Sequence, residues 1–352
     1  VAGLEWPLFD ADDSPQGLNP EMWGVLFTDA ATQPHFYLVL DSGEPRVMRY
    51  HSVHSDGADQ DPRIPERLRE LSGKSVGIVG LGSAGSKVIL SLARGGVSQF
   101  YLVDDDVFLP ENISRHALDW RNVGEHKVDA IARMLRLISS GVQVEVSRVN
   151  LTGQESTAVL SGVLSNLGHC DVLVDATANP AVFNLLAATA TTYTRPLVWL
   201  EVYAGGIGGM IARSRPGLDP DPQTMRAAYH EYTLGTPMHE LATTVDYRAE
   251  DVEGNVMSAS DADVGVIASH AARLVSDTLL AKSDFPYSMY LIGFSSSWIF
   301  DSPFHTIPIA TSHLVQAPES RVLPDSLLSE NLAFLGELVR NQHAENRSTQ
   351  QS

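Results

Sequence analysis

Strand-like and helix-like patterns of apolar residues alternate along the middle of the chain. The run SVGIVGLG (75–82) is continuously apolar and ends in glycine, as a strand buried in a parallel sheet does. SAGSKVILSLARGG (83–96) has helical spacing and stops at two glycines. The same reasoning predicts strands at 99–106, 142–151 and 170–177 and helices at 124–141 and 179–193. This alternation predicts an α/β, Rossmann-like, doubly wound and mainly parallel sheet with helices on both faces.

The second half of the chain adds antiparallel strands and one irregular segment. Residues 196–217 predict a hairpin through a glycine-rich turn, and close approach by a partner's extended tail is the functional alternative for these glycines. Residues 215–260 carry prolines and charges without a steady period, and a segment of that length in a compact domain is usually functional or mobile. A helix is then predicted at 262–281, with closing strands at 290–301 and 305–310.

We expect three parts along the chain. Residues 1–70 are an N-terminal segment, or the remnant of a preceding domain, with two strand-like runs and a polar linker. Residues 71–318 are the α/β domain, with a crossover loop at about 215–262, and residues 319–352 are a tail with one helical piece. Because the first residue is Val rather than Met, we expect a trimmed chain or a piece of a longer polypeptide.

Composition argues against several classes of function. The net charge of −19 disfavours nucleic acid, because binding to a phosphate backbone depends on clustered lysine and arginine, and it favours a basic protein partner. No apolar run reaches the roughly 18 residues of a membrane span, and we find no secretory signal. A single cysteine excludes an internal disulfide framework and paired-cysteine zinc sites, and it fits a cytoplasmic protein.

A glycine-rich turn between the first strand and the first helix of the alternation predicts a nucleotide site. Gly80, Gly82 and Gly85 form a GxGxxG pattern where the N-terminal amides of a helix bind phosphate. Asp104 ends the next strand, which is the position of an acid that binds a ribose hydroxyl. On these residues alone, NAD or FAD is the commoner ligand.

Three side chains beyond the acidic cluster favour ATP instead. Asn112, Arg115 and Lys127 follow the second strand, where hydride transfer to a nicotinamide requires no such donors and cations. Breaking the bond between the α- and β-phosphates of ATP does require them, because negative charge grows on pyrophosphate and on the attacked phosphate. Arg115 can donate two hydrogen bonds to one phosphate as a bidentate donor, and Lys127 provides a point charge. Asn112 provides an amide donor.

The ordered motifs GLGSAGS, LVDDD, ENISRHAL, VGEHK and VDATANP resemble those of the ThiF/MoeB superfamily, which includes ubiquitin-activating enzymes. The resemblance covers residues 73–204 well and 262–310 more loosely. It implies an ATP-dependent adenylyltransferase that activates the C-terminal carboxylate of a ubiquitin-like or sulfur-carrier protein. The implied cofactors are therefore ATP and Mg²⁺.

The resemblance also implies a role for each matching residue. Asp104 would bind ribose, Asn112 and Arg115 would contact phosphate, and Lys127 would bind the β- and γ-phosphates. His116, beside Arg115, is expected to shape the phosphate loop.

The chain departs from the family pattern at the metal-linked position. The family usually has an aspartate where this chain has Ala178, so Asp175 or Asp106 would have to take over the magnesium. We expect a working site with Asp175 as the metal ligand, because every other phosphate-facing residue is present. A catalytically inactive scaffold is the alternative that Ala178 supports.

The nucleophile is the second departure. Ubiquitin-activating enzymes pass the adenylate to a cysteine on the crossover segment, and residues 215–262 contain none. Cys170 opens a buried strand and is expected to be a core thiol. Three possibilities stay open: the reaction stops at the acyl-adenylate, the cysteine has been replaced, for which the small-residue run 257–260 is one place, or a partner chain supplies the thiol.

The sequence therefore predicts the activating domain of a bacterial ubiquitin-like conjugation system. NISRH and FSSSWIFDSPFHTIPI resemble activating domains in multidomain bacterial proteins that also carry conjugating-enzyme-like or protease-like neighbours. A ubiquitin-like substrate and a conjugating-enzyme-like partner are the implied partners. The resemblance also implies a homodimer, in which Arg63 or Arg67 reaches the partner's site. An NAD-dependent oxidoreductase is the alternative, and it assigns no role to Arg115 or Lys127.

Overall fold

Three antiparallel strands make up the described part of the first of two units, Val1–Arg63 and Ile64–Ser352. The computed structural model describes residues 22–28, 34–41, 45–50, 65–139, 141–234, 242–243, 248–250, 256–282, 284–296 and 299–314. In the first unit β1 (Met22–Thr28), β2 (Pro34–Asp41) and β3 (Pro45–Tyr50) pair in that order. The sequence predicts the first two of these strands and misses β3.

An eight-stranded sheet is the frame of the second unit. The strands of this unit are β4 (Ser75–Val79), β5 (Gln99–Val103), β6 (Gln143–Ser147), β7 (Val172–Asp175), β8 (Leu197–Val202), β9 (Gly208–Ser214), β10 (Ala242–Thr243), β11 (Arg248–Glu250), β12 (Val256–Ser258), β13 (Met289–Gly293) and β14 (Thr306–Pro308). The main sheet has the order β14-β13-β9-β8-β7-β4-β5-β6, and β10–β12 form a small separate sheet. Strands β4–β8 of the main sheet are parallel, whereas β9, β13 and β14 are antiparallel, which confirms the predicted fold class.

Helices cover both faces of this sheet. They are α1 (Ser83–Arg94), α2 (Lys127–Ile138), α3 (Thr157–His169), α4 (Pro180–Tyr193), α5 (Pro222–Leu234) and α6 (Asp261–Leu279), with short 3₁₀ turns at Glu66–Gly73, Pro110–Asn112, Trp120–Asn122, Ala204–Gly206 and Ser312–Leu314. One apolar core packs α1, α2 and α6 against the sheet, and the other packs α3, α4 and α5 against the opposite face. None of the helices in the described residues is long and apolar enough to cross a bilayer.

Strand β4 lies between β5 and β7, so the strand order reverses on either side of it. Ligands of open α/β sheets bind beyond the carboxyl ends of the strands at such a reversal. The glycine-rich turn, the acidic cluster and the end of β7 all follow strands that end here. The topology therefore gathers the predicted nucleotide residues at one edge of the sheet.

Two of the helices are not among those that the sequence predicts. Helix α3 was not predicted, and neither was α5, which lies inside the segment 215–260 that shows no steady period. Asp221 accepts from the backbone N–H groups of Gln223 and Thr224 at 3.1 Å each, so it caps the start of α5. The Asp-Pro pair at 221–222 is the signal that would have indicated this helix. The helical piece predicted in the tail lies outside the described residues.

A buried ion pair joins the two elements that flank this long segment. Arg213 on β9 donates to the Asp277 carboxylate on α6, and the side chains are 0% and 3% exposed. A second guanidinium nitrogen of Arg213 donates to the Phe285 carbonyl at 3.1 Å. The end of β9 is thus fastened to the last turn of α6 inside the fold.

Candidate active site

An open cleft of about 790 Å³ lies at the carboxyl ends of β4, β5 and β7. It is lined by the glycine-rich turn, by Asp104–Asp106, by residues 149–152 after β6, and by the loop after β7 with Val182 of α4. Four segments that are separate in sequence therefore share one cavity. The contribution of residues 149–152 was not predicted.

The glycine-rich turn requires its glycines because of its close packing. Gly80 has a φ of +87°, and a Cβ there would lie 2.8 Å from Thr177 Cγ2. A Cβ on Gly85 would lie 2.0 Å from the Gly80 carbonyl oxygen. Gly82 precedes the first residue of α1 and lines the cleft. The backbone of this turn is thereby exposed to a phosphate ligand at the N-terminus of α1.

Asp104 is held in place by the backbone of the turn. Its Oδ2 accepts from the Leu81 N–H at 2.6 Å, and its Oδ1 accepts from the Asp106 N–H at 2.9 Å. Burial raises the pKa of this carboxyl, against the lowering effect of these two hydrogen bonds and of Lys127. An ionised carboxylate has further lone pairs, so Asp104 can still accept from a ribose hydroxyl.

Lys127 begins α2 and is buried with its ammonium on Asp106. Lys127 Nζ lies 2.6 Å from Asp106 Oδ2, and the Lys127 N–H donates to the Asp106 carbonyl at 3.0 Å. The structure thus brings Lys127 to the acidic end of β5. The Asp106 carboxylate is occupied by this ammonium.

The segment after β5 presents Asn112 and Arg115 from a turn. Asn112 Oδ1 accepts from the Leu109 N–H at 2.9 Å, which leaves its amide N–H groups as the donors available to a ligand. Arg115 Nη1 donates to the Ser258 hydroxyl at 2.9 Å. Ser258 belongs to the small-residue run 257–260, which is one place where a cysteine would have been replaced. The end of the predicted crossover region therefore contacts Arg115.

His116 ties this segment to the glycine-rich turn. Its Nδ1 accepts from the Leu118 N–H at 3.0 Å, so its Nε2 carries the proton and donates to the Leu81 carbonyl at 2.7 Å. Burial lowers the pKa of His116 to about 4, and the nearby lysine charges lower it as well. The neutral imidazole satisfies both hydrogen bonds.

Lys87 makes a second connection that the sequence did not indicate. Its ammonium donates to the Arg115 carbonyl and lies 2.8 Å from Asp261 Oδ1 at the start of α6. Helix α1, the arginine segment and the N-terminus of α6 thus meet at one lysine. Spacing along the chain carries no sign of this contact, because it depends on α1 packing beside α6.

Asp175 and Ala178 occupy the loop after β7. Asp175 is buried, and its Oδ1 accepts from the Thr177 N–H at 3.0 Å and from the Thr177 hydroxyl at 2.6 Å. Burial raises the pKa of the Asp175 carboxyl. Ala178 has a left-handed φ of +52° and contributes no metal ligand. The described residues contain no cluster of three or more metal-binding side chains.

Cys170 is a core thiol, as predicted. It is 6% exposed and lies two positions before the first residue of β7. It belongs to the apolar core that α3 and α4 cover. Burial, more than any neighbouring charge, raises its pKa to about 11. A thiol with this pKa is a poor nucleophile at neutral pH.

Comparison with known proteins identifies the family. The ThiF family profile matches residues 59–295, which is most of the chain. The chain belongs to the ThiF family. The resemblance inferred from its motifs is therefore confirmed.

Individual relatives of this ThiF-family chain match parts of it. The adenylyltransferase and sulfurtransferase Uba4 of Aspergillus terreus is 34% identical over 200 residues, which is 56% of this chain and 38% of Uba4. The ATP-dependent ubiquitin transferase-like protein Cap2 of Pseudomonas aeruginosa is 28% identical over 167 residues, which is 46% of this chain and 28% of Cap2. The chain thus spans well under half the length of these relatives.

A solved structure supports the same fold. Escherichia coli MccB in complex with ATP superposes with a TM-score of 0.51 at 19% identity, covering 74% of this chain and 70% of MccB. At this level of identity the likeness establishes the ThiF-type fold alone.

Only some of the predicted site residues line the cleft. Asp104, Asp106 and the glycine-rich turn line the cleft, together with the backbone next to Asp175. Lys127 and Arg115 approach this edge but contact Asp106 and Ser258. Arg63 lies outside the described residues, and Arg67 is exposed on the first 3₁₀ turn of the second unit. The ligand-binding roles of all these residues stay predictions.

Proposed function

We propose that this chain adenylates the C-terminal carboxylate of a ubiquitin-like protein and releases pyrophosphate, as the activating step of a bacterial conjugation system. The observation that carries the proposal is the convergence of the glycine-rich turn, Asp104 and the Arg115 segment on one edge of the sheet. The names of Uba4 and Cap2 support this reaction class, and MccB has been solved with ATP.

The reaction follows from the charges at this edge. A carboxylate oxygen of the substrate attacks the α-phosphorus, the bond to the bridging oxygen breaks, and pyrophosphate leaves with the bonding electron pair. Arg115 stabilises the charge that grows on the phosphates, and Lys127 adds a second positive charge. Asn112 donates to a phosphate oxygen, the N-terminus of α1 binds the phosphate chain, and Asp104 orients the ribose.

Magnesium would be held chiefly by Asp175. Mg²⁺ keeps several waters and phosphate oxygens as ligands and often takes only one or two protein carboxylates. The single Asp175 carboxylate fits that pattern, because its Oδ1 alone is occupied by Thr177. The bound ion would neutralise charge on the phosphates.

The partners follow from the same proposal. The substrate is a ubiquitin-like protein, a conjugating-enzyme-like protein receives it, and two copies of this chain form a homodimer. Cap2, named as ubiquitin transferase-like, supports the first two of these partners. Ala178 favours one competing function, an inactive scaffold that pairs with an active copy of another chain.

Exchange of radiolabelled pyrophosphate into ATP, with each candidate ubiquitin-like protein, tests the activity. We expect exchange with one candidate, and ATP with Mg²⁺ should raise the melting temperature whereas NAD should not. Stabilisation by NAD alone would identify an oxidoreductase. Stabilisation by ATP without exchange in any candidate's presence would favour the scaffold.

A further inference from the structure

A second pocket adjoins the nucleotide cleft across the loop 175–179. It encloses about 630 Å³ and opens to solvent, and Asn179 lines both cavities. Phe183, Trp199 and Tyr229 give it aromatic walls, and Glu201 and Arg226 are among its polar residues. Asp175, Ala178 and Asn179 of the VDATANP motif line one side of it, and its other walls come from β8, β9, α4 and the unpredicted α5.

Glu201 is a half-buried carboxylate that faces this pocket. It lies near the end of β8 and forms no hydrogen bond or ion pair with any residue that the structure describes. Burial raises the pKa of its carboxyl, and the charge of Arg226 lowers it by less. A carboxylate in apolar surroundings is costly unless a donor pairs with it.

The neighbouring polar groups are engaged elsewhere. The Arg226 guanidinium lies 5.0 Å from the centre of the Phe183 ring, and its Nη1 donates to Asn184 Oδ1 at 3.4 Å. The Tyr229 hydroxyl donates to the Tyr203 hydroxyl at 3.2 Å. The pocket therefore presents an acceptor without a matching donor, between aromatic rings.

We propose that this pocket binds a lysine or arginine side chain in the C-terminal tail of the protein that is activated. The ammonium or guanidinium would pair with Glu201, and the alkyl stem would pack on Trp199 and Phe183. The shared loop 175–179 puts the occupant a few residues before the carboxylate that reaches the nucleotide. This inference rests on the proposed function, and it makes the tail's side chain a determinant of specificity.

Peptide binding without ATP tests the pocket directly. The probes are fluorescein-labelled hexapeptides of alanine ending in Gly-Gly, with lysine or norleucine at each of the four preceding positions, and binding is measured by fluorescence anisotropy. Norleucine keeps the stem and lacks the charge. We expect lysine to bind at least tenfold more tightly at one position, because only one position reaches Glu201.

Two charge-matched variants complete the test. Glu201→Gln should abolish the preference for lysine, whereas Glu145→Gln, which removes an exposed carboxylate on β6, should preserve it. Glu201→Gln removes a half-buried charge that has no partner among the described residues, so the melting temperature should not fall. Equal binding of lysine and norleucine at all positions would overturn the proposal, as would a lysine preference that survives Glu201→Gln.

Pyrophosphate exchange with the same peptides separates this inference from the proposed function. Lysine-selective binding, with no exchange for these peptides or for any ubiquitin-like candidate, would refute adenylation and retain the pocket's selectivity. Exchange at equal rates with lysine and norleucine peptides would support adenylation and refute the pocket.

Discussion

At the scale of single residues, Arg115 has the clearest expected effect. Its guanidinium stabilises charge that develops during the reaction, so Arg115→Ala should lower pyrophosphate exchange by about 10²-fold or more and weaken ATP binding much less. Arg121→Ala is the matched control, because Arg121 is 87% exposed and pairs only locally with Asp119. An Arg115→Ala variant that exchanges at the parental rate would rule out this role.

Ala178 allows a gain-of-function test of the proposed magnesium site. Its left-handed backbone is one that Asp and Asn adopt more readily than Ala, so both fit without added strain. We expect Ala178→Asp to raise the exchange rate and to lower the magnesium concentration needed for half-maximal exchange. Ala178→Asn has the same shape without the charge and should change neither. The expectation fails if Asp and Asn behave alike.

Cys170 should be dispensable for chemistry. Cys170→Ser should leave pyrophosphate exchange close to the parental rate, because the thiol is buried in the core. It should lower the free energy of unfolding by about 1–3 kcal/mol, since a hydroxyl enters an apolar site. Urea unfolding measures the second effect. A folded Cys170→Ser protein that has lost transfer of the activated substrate would instead identify this thiol as the nucleophile.

At the scale of elements, His116 couples the arginine segment to the glycine-rich turn. Its pKa is about 4 in the fold against 6.5 for the free side chain, so the unfolded chain binds the extra proton first as pH falls. Stability is therefore intact above pH 6.5 and lost between pH 6.5 and 4, by about 3 kcal/mol at most.

Urea unfolding between pH 4 and pH 8 checks this dependence. His116→Gln keeps an N–H donor and cannot titrate, so its unfolding free energy should fall less over this range. His313→Gln, at an exposed position, should follow the parental curve. If His116→Gln and the parent lose the same unfolding free energy between pH 6.5 and pH 4, a group other than His116 is responsible for the loss.

The sequence predicts the parallel half of the sheet because β4, β5 and β7 are continuous apolar runs bounded by glycine or acid. It misses α3 although Leu160, Val163, Leu164 and Leu167 follow the i, i+3, i+4, i+7 spacing of an amphipathic helix and all pack in the core. Helix α5 is missed for a different reason, because it buries only Pro222, Met225 and Thr233. A helix with so few buried positions leaves little periodicity to detect.

The candidate site also contains residues that local sequence patterns predict and residues that only tertiary contacts bring together. The glycine-rich turn and Asp104 follow from a local strand–turn–helix pattern, and the structure lines the cleft with them. Lys87 and Glu201 could not be found from spacing. Lys87 depends on α1 meeting α6, and Glu201 sits in an apolar run, WLEV, whose surroundings are set by α5.

At the scale of the whole molecule, the outstanding prediction is a two-fold homodimer. With a net charge of −19 on each copy, mutual repulsion should weaken the dimer at low ionic strength and salt should restore it. Light scattering at micromolar concentration, in low and in 0.15 M salt, measures this. A monomer at high concentration in salt, with exchange intact, would contradict the prediction.

The buried pair between Arg213 and Asp277 has an evolutionary consequence. Because it joins the end of β9 to the last turn of α6, the chain from Arg213 to Asp277, which includes α5 and α6, is a closed loop on a fixed base. The entropy of closing a loop grows only slowly with its length, by about 0.6 kcal/mol for each doubling. Insertions and exchanges within this loop, in the segment between α5 and α6, are therefore inexpensive for the fold, whereas α6 itself belongs to the core. A lineage can replace what lies there, and so change the partner it recognises, while the sheet beneath is inherited intact.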